Sequence, residues 1–322
     1  RMMNSLESKL KKQNLLEQFN CQVKDFFNRG VISWVTDIQG LEGLQRSFIP
    51  LTYTLKKSPL DTTKLRLCGN SSFMVDKHSV SLNQCMVDGP AYLQSLEGLI
   101  LRWRCGQQVA HGDIRHCYHQ ILSSKKDISL RRVLLRADGM GGCQPWQEAA
   151  FQTISFGDQL GGCSAQLAIS DCFTRFVPQE TRKNMARGLY MDDILVCSIT
   201  KNNPVQKMIK EVDTALNRGH FQVKQWTKTG DKNPVKFFSY KYHPQSDTFS
   251  VCPRVNWSPR KRGARCAPDV TNIEQLYEHV KQFPLTKRSV ASIVMGCLYD
   301  PLQIFSPFIM NLKIIYRDLT RI

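Results

Sequence analysis

Tyr190-Met191-Asp192-Asp193 sets two carboxylates side by side, with Leu189 before them and the apolar run Ile194-Leu195-Val196 after. Adjacent carboxylates repel. At the tip of a tight hairpin they need a divalent cation, or an Arg or Lys, to offset that repulsion. A third carboxylate, Asp113, lies near the end of another short apolar run, Val109–Ile114. Three carboxylates at strand ends, in a chain of formal charge +17, fit a site that holds two Mg²⁺ ions and receives a phosphate substrate. An Asp-Asp turn on the surface with an unrelated Asp elsewhere is the competing reading. The apolar flanks on both sides of the pair favour the site.

The rest of the composition agrees with a polyanion as partner. Lys and Arg number 44 against 27 Asp and Glu, a surplus that speaks of partners rather than of fold. A basic ribosomal or membrane-surface protein would carry the same surplus. Hydrophobic residues make up 42% and charged residues 22% of the 322, which excludes a wholly disordered chain. At roughly 100–200 residues per domain, this is about two domains, or one with lobes. No stretch reaches the ~18 uninterrupted apolar residues of a membrane span, so no membrane partner is expected. The 12 cysteines include no C-x2-C pair and do not crowd together, which argues against a zinc site or a disulfide scaffold and for a reducing, intracellular setting. The start carries Lys9, Lys11 and Lys12 without the apolar run of a secretory signal. Because it opens on Arg1, the chain is expected to be a piece of a longer one.

These carboxylates need strands to carry them. Leu189–Ser198 is dense in β-formers and splits at Asp192-Asp193, and Val109–Ile114 is a short strand. Residues 4–29 read as one helix stopped by Gly30, and 90–104, Ser164–Phe176 and Val205–Leu216 as further helices. Val31–Val35, Phe48–Leu55, Thr63–Cys68, Phe221–Trp226, Val235–Tyr242 and Thr248–Val251 read as strands, and Lys125–Arg136 as a cationic loop. Arg254–Arg265 reads as a linker, and 272–319 as mainly helical. Strands and helices mix without regular βαβ alternation, so the expected class is α+β. The histidines His111, His116 and His119 raise a zinc site, but no Cys or second acid stands at ligand spacing. Cys117 has no recognisable base beside it and reads as a packed thiol.

Taken together the motifs resemble those of reverse transcriptases. Tyr190–Asp193 is similar to their Y-x-D-D element, and Asp113-Ile114-Arg115-His116-Cys117-Tyr118 to the first catalytic motif, an Asp followed five residues later by an aromatic. Phe156-Gly157 is similar to the loop that opens the next motif. Lys64-Leu65-Arg66, Ser81–Cys85 with Gly89-Pro90, Leu101–Arg104, Gly219…Phe221…Trp226, Tyr240–Pro244 with Asp247-Thr248, Thr286–Arg288 and Tyr299–Leu302 resemble, in order, the Bel/Pao type of LTR retrotransposon. The chain departs from that pattern at Asn70, Gly162, Gln225 and Ser239.

The resemblance implies a right-hand polymerase whose antiparallel palm sheet is backed by helices. Fingers would lie at 1–100 and 122–155, palm at 101–121 and 156–246, and thumb from 247 to 322. It implies RNA-directed DNA polymerisation, in which a primer 3′-OH attacks a dNTP with two Mg²⁺ ions (or Mn²⁺) bound by Asp113, Asp192, Asp193 and the carbonyl of Ile114. Lys224 would be the general acid. Tyr118 would exclude a 2′-OH, and Lys64, Arg66, Phe156, Gly157, Tyr190 and Met191 would meet the nucleotide. Arg131, Arg132, Trp226, Tyr240, Tyr242, Arg260, Lys261, Arg262 and Arg265 would contact the nucleic acid. Implied partners are an RNA template, a DNA or RNA primer, and RNase H and integrase regions of a parent polyprotein. The setting would be cytoplasmic, in a virus-like particle, or nuclear. A domesticated, catalytically weak reverse-transcriptase-like scaffold and an RNA-directed RNA polymerase are the alternatives.

Overall fold

The computed structural model describes residues 2–57, 63–87, 89–90, 93–185, 188–199, 204–238, 240–251, 273–282, 286–287, 290–291, 294, 300 and 302–321. The chain opens with α1 (Met2–Lys12) and α2 (Leu16–Asn28), then β1 (Ile32–Trp34), β2 (Leu51–Lys57), β3 (Thr63–Gly69), α3 (Leu82–Cys85), α4 (Leu96–Arg104) and β4 (Gln108–Ile114). Next come α5 (Lys125–Ser129), β5 (Arg132–Arg136), β6 (Trp146–Phe151), α6 (Gly161–Phe176), α7 (Gln179–Met185), β7 (Leu189–Tyr190) and β8 (Asp193–Ser198). After them stand α8 (Val205–Arg218), β9 (Val223–Lys228), β10 (Val235–Phe237), β11 (Tyr240–His243), β12 (Thr248–Val251), α9 (Ile273–Gln282) and α10 (Ser306–Arg321). The class is mixed α+β with several antiparallel pairings. Among the described residues no helix is long and apolar enough to cross a membrane.

Two compact units divide the chain: Arg1–Gln94 with His111–Trp226, and Ser95–Ala110 with Thr227–Ile322. In the first, the helix expected over 4–29 is broken into α1 and α2. Asn14 takes φ +52, the Leu15 amide bonds the Leu10 carbonyl at 3.0 Å, and the Asn14 amide bonds Lys11 at 3.2 Å. That is a Schellman stop with Asn at the left-handed position. Leu10 and Leu15, the apolar pair that accompanies it, both enter the core. The core gathers Phe19, Phe26, Ile32, Leu67, Val133, Leu135 and Phe151, with β1 and β5 flanking β6. The β2–β3 hairpin sets Thr54 opposite Arg66.

The sheet that carries the acidic motifs has the order β7-β8-β4-β9. Behind it, α8 packs on β8 and α6 packs on α8. The register of α8 follows from sequence: Val205, Met208, Ile209, Val212, Ala215 and Leu216 are buried at helical spacing, after Pro204 at the N-cap. The helix expected over 90–104 begins only at Leu96, where Ser95 accepts the Gly98 amide at 3.2 Å.

The second unit is held by aromatic rings. Trp103 stacks on Phe237 at 4.5 Å and donates through Nε1 to the Ala110 carbonyl at 2.9 Å; Tyr242 and Phe249 close around it. Val235–Tyr242, expected as one strand, is two: β10 and β11 pair antiparallel, with the chain turning at Phe238, φ +52.

The cationic loop expected over Lys125–Arg136 is instead a short helix and a core strand, in which Arg131 and Arg132 are buried and Arg136 is half-buried. Arg131 Nε donates to Asp158 Oδ2 at 2.8 Å, with the carboxylate fully enclosed. The Ser155 amide reaches the same oxygen at 3.2 Å, and the Ser71 hydroxyl donates to the other. Arg132 bonds Glu148 at 2.7 Å and Ser129 at 2.9 Å. Phosphate contact is therefore corrected for Arg131 and Arg132: their exposures are 5% and 6%, and their charges are spent within the protein. Removing one member of such a pair leaves an uncompensated charge inside, so Arg131→Met is expected to cost about 3–5 kcal/mol in urea unfolding. The double variant Arg131→Met/Asp158→Leu should recover most of that loss.

Candidate active site

The tip of the β7–β8 hairpin is a two-residue turn. Leu189 pairs with Ile194 and Tyr190 with Asp193, which leaves Met191 and Asp192 at the corner. Met191 has φ +55 while Asp192 is not left-handed, the pattern of a II′ turn. A non-glycine residue there costs roughly 1–3 kcal/mol and persists only where its surroundings over-determine it. Two bonds do so. The Met191 carbonyl accepts from Nε2 of the buried Gln166 on α6 at 2.8 Å, and the Asp192 carbonyl accepts from the Ile114 amide at 2.9 Å.

The second bond brings β4, and with it Asp113, to the tip. The Asp192 carboxyl is held above the usual carboxylate range, first by loss of hydration at the crowded corner and then by the charges of Asp193 and Asp113. Arg66, exposed on β3, opposes that rise. The residue keeps an open path to solvent. Asp193 is engaged elsewhere: its Oδ1 lies 2.6 Å from His111 Nε2. Among the described residues, no three His, Cys, Asp or Glu side chains gather in a way that could hold a metal ion. Asp113 and Asp192 still fit Mg²⁺ chemically. They are hard oxygen donors, and that ion is commonly held by one or two carboxylates together with substrate phosphates.

Tyr118 borders the same corner. Its phenol is raised by burial and then by the Asp192 charge, and its ring meets Phe156 edge-on at 4.9 Å. Gly157 has φ +114, and a Cβ there would lie 2.2 Å from the Gly69 carbonyl oxygen, so only glycine lets this loop lie against the end of β3. Tyr190 is half-buried at the end of β7. Cys117 is inert: burial, then Asp192 and Asp113, push its thiol up to about 12.

Other expected site residues lie apart from this group. Lys224 is exposed on β9, where its charge acts on His116; the charges felt by Asp192 are those of Asp193, Asp113 and Arg66. Trp226 packs against β4, its ring 2.9 Å from where a Cβ on Gly112 would stand, and its Nε1 donates to Asp213 at 2.9 Å. Tyr240 and Tyr242 are core residues of the second unit, 2% and 0% exposed, with hydroxyls on Asp300 at 2.6 Å and Asp247 at 2.8 Å. Ring contact with nucleic acid is thus corrected for Tyr240 and Tyr242, and Trp226 serves packing. Lys64 pairs with Lys56 along the hairpin backbone, and its side chain lies outside the described residues. So do Arg260, Lys261, Arg262, Arg265 and Ser239.

Three residues were missed as parts of this site. His111 stands two before Asp113 in one strand, which already put both on one face. Gln166 reads from the sequence only as a polar residue in an apolar helix, and nothing in the sequence marks Asp158 as the partner of Arg131. No family model matches the chain, and no curated protein is detectably similar to it.

His119 sits beneath the corner, against Phe26 at 4.8 Å and Phe156 at 5.1 Å. Neither ring nitrogen has a hydrogen-bond partner among the described residues. Burial, then the Arg29 charge, lowers it to about 3. A base depressed in the folded state adds stability above its unfolded value near pH 6.5, and that stability is lost as pH falls towards 3. The loss is at most on the order of 5 kcal/mol. His119→Phe should flatten this limb of the stability–pH profile in urea titrations, with little change at pH 8.

Proposed function

We propose that the chain is an RNA-directed DNA polymerase of the reverse-transcriptase kind, extending a primer 3′-OH with dNTPs. The observation that carries this reading is the Ile114–Asp192 backbone bond. It sets Asp113 on one strand beside the Asp192 tip of another, where the Asp113 charge adds to the cost of ionising Asp192. A protein that keeps ionisable acids crowded at an open corner has use for cations there. The resemblance to Bel/Pao reverse transcriptases supplies the substrate class, and the +17 charge is in keeping with a template–primer duplex.

In this reading the sheet β7-β8-β4-β9 with α6 and α8 is the palm, the β2–β3 hairpin belongs to the fingers, and the thumb lies from 247 onward. Asp113 and Asp192 would hold Mg²⁺. When bound, the ion supplies activation of the attacking hydroxyl and neutralisation of the leaving pyrophosphate. Arg66, whose charge reaches Asp192, binds the triphosphate. Tyr118, braced by Phe156, lies under the sugar and rejects a 2′-OH. Gly157 lets the backbone of its loop approach the nucleotide. Gln166 keeps Met191 in its left-handed turn and so holds the tip against the primer end.

The test is primer extension on RNA and DNA templates with Mg²⁺ or Mn²⁺. Incorporation of dNTPs is expected on both templates, and Asp192→Asn should abolish it. Because ionised Asp192 is disfavoured in the folded state, its penalty is absent below the unfolded carboxylate range and grows as pH rises through the raised value. Asp192→Asn should therefore also melt slightly higher at pH 7, and the gain should vanish in acid. Template binding without incorporation would favour the scaffold alternative instead. Tyr118→Ala should admit ribonucleotides, read as the ratio of kcat/KM for dNTP and NTP. An unchanged ratio would remove Tyr118 from that role, and equal use of both by the unaltered chain would favour an RNA-directed RNA polymerase.

A further inference from the structure

We propose that His111 is a positioning residue that fixes the Asp193 carboxylate in place and confines cation binding to Asp113 and Asp192. This rests on the polymerase reading above. The argument begins with strand geometry. Along β4, Gly112 faces the Trp226 ring, so His111 and Asp113 share the opposite face. Asp113 stands at the Asp192 tip, and His111, two residues earlier, meets Asp193 at the first position of β8.

The backbone of Asp193 is fixed by its pairing with Tyr190. Its carboxylate can therefore move only by rotating its side chain. One oxygen is held by the imidazole at 2.6 Å, in the short range of charge-assisted bonds. A carboxylate accepts but does not donate, so Nε2 carries the proton. The His111 side chain is 10% exposed and that of Asp193 27%, which shields the bond from competing water. To turn both its oxygens toward a cation shared with Asp113 and Asp192, Asp193 would have to leave this partner. The absence of any three-ligand group among the described residues agrees with an acid that is held aside. His111 thus acts through Asp193, as outer partners of metal sites do. It keeps a negative charge at the corner while withholding it from direct ligation.

The experiment is Mn²⁺ binding to the full chain, followed by electron paramagnetic resonance. Asp113→Asn and Asp192→Asn should each weaken Mn²⁺ by at least about tenfold, and Asp193→Asn by less than about threefold. His111→Val releases the Asp193 carboxylate and should tighten Mn²⁺ by about threefold or more, a gain erased when Asp193→Asn is added. His111→Gln, which keeps a donor, should bind Mn²⁺ as the unaltered chain does. If Asp193→Asn weakens binding as much as Asp192→Asn, Asp193 is a ligand and the positioning role of His111 falls while the polymerase reading stands. That comparison needs no His111 variant and holds even if His111→Val misfolds. A His111→Val gain that survives Asp193→Asn would overturn the role as well. If neither Asp113→Asn nor Asp192→Asn alters Mn²⁺ binding, the polymerase reading itself falls, and this inference with it.

Discussion

Crowded carboxylates cannot hold a hairpin corner together by themselves; their mutual repulsion works against the fold, and something else must bind the corner. Here that work falls to uncharged groups. The Ile114 amide and the Gln166 side chain each take a backbone carbonyl of the turn, at 2.9 and 2.8 Å. Neither bond spends charge, so the acids keep theirs. The left-handed Met191 and the raised Asp192 carboxyl are two consequences of one arrangement, in which local strain and local repulsion persist because the surrounding sheet over-determines both.

The support beneath that corner is layered. Tyr118 and Phe156 pack edge to face, and His119 lies against Phe156 and Phe26 without polar partners. Below them, Asp158 ties together Ser71 after β3, Ser155 in the loop before α6, and Arg131 before β5. An enclosed ion pair of this kind is a weak source of stability in itself. Its effect is geometric: three chain segments far apart in sequence are referred to one carboxylate, and the Phe156-Gly157 loop inherits that reference.

Positive charge divides in the same way between structure and surface. Arg131 is consumed by the enclosed Asp158, Arg132 by the partly exposed Glu148, and Arg104 by Asp247 in the second unit. Arg66 stays exposed on its hairpin, and its charge lowers the ionisation cost of Asp192. A net charge counted from sequence therefore overstates what a phosphate backbone could meet. Arg131 and Arg132, adjacent in sequence, are not among the arginines that the fold leaves exposed.

Local patterns were readable without coordinates wherever one short segment decides its own structure. The buried face of α8, the split of Leu189–Ser198 at the acidic pair, the strand over Val109–Ile114 and the mixed α+β class all follow from periodicity and turn chemistry. Boundaries set by a single capping contact were harder. Asn14 cuts one apolar run into two helices, and Ser95 delays the start of α4, because a side-chain or left-handed cap overrides periodicity. The partners of charged and aromatic residues lay beyond sequence altogether. Asp158 for Arg131, Asp193 for His111, and the rings around Tyr240 and Tyr242 are decided by which segments meet in space. A residue type specifies what it can bond to, and only packing specifies what it does.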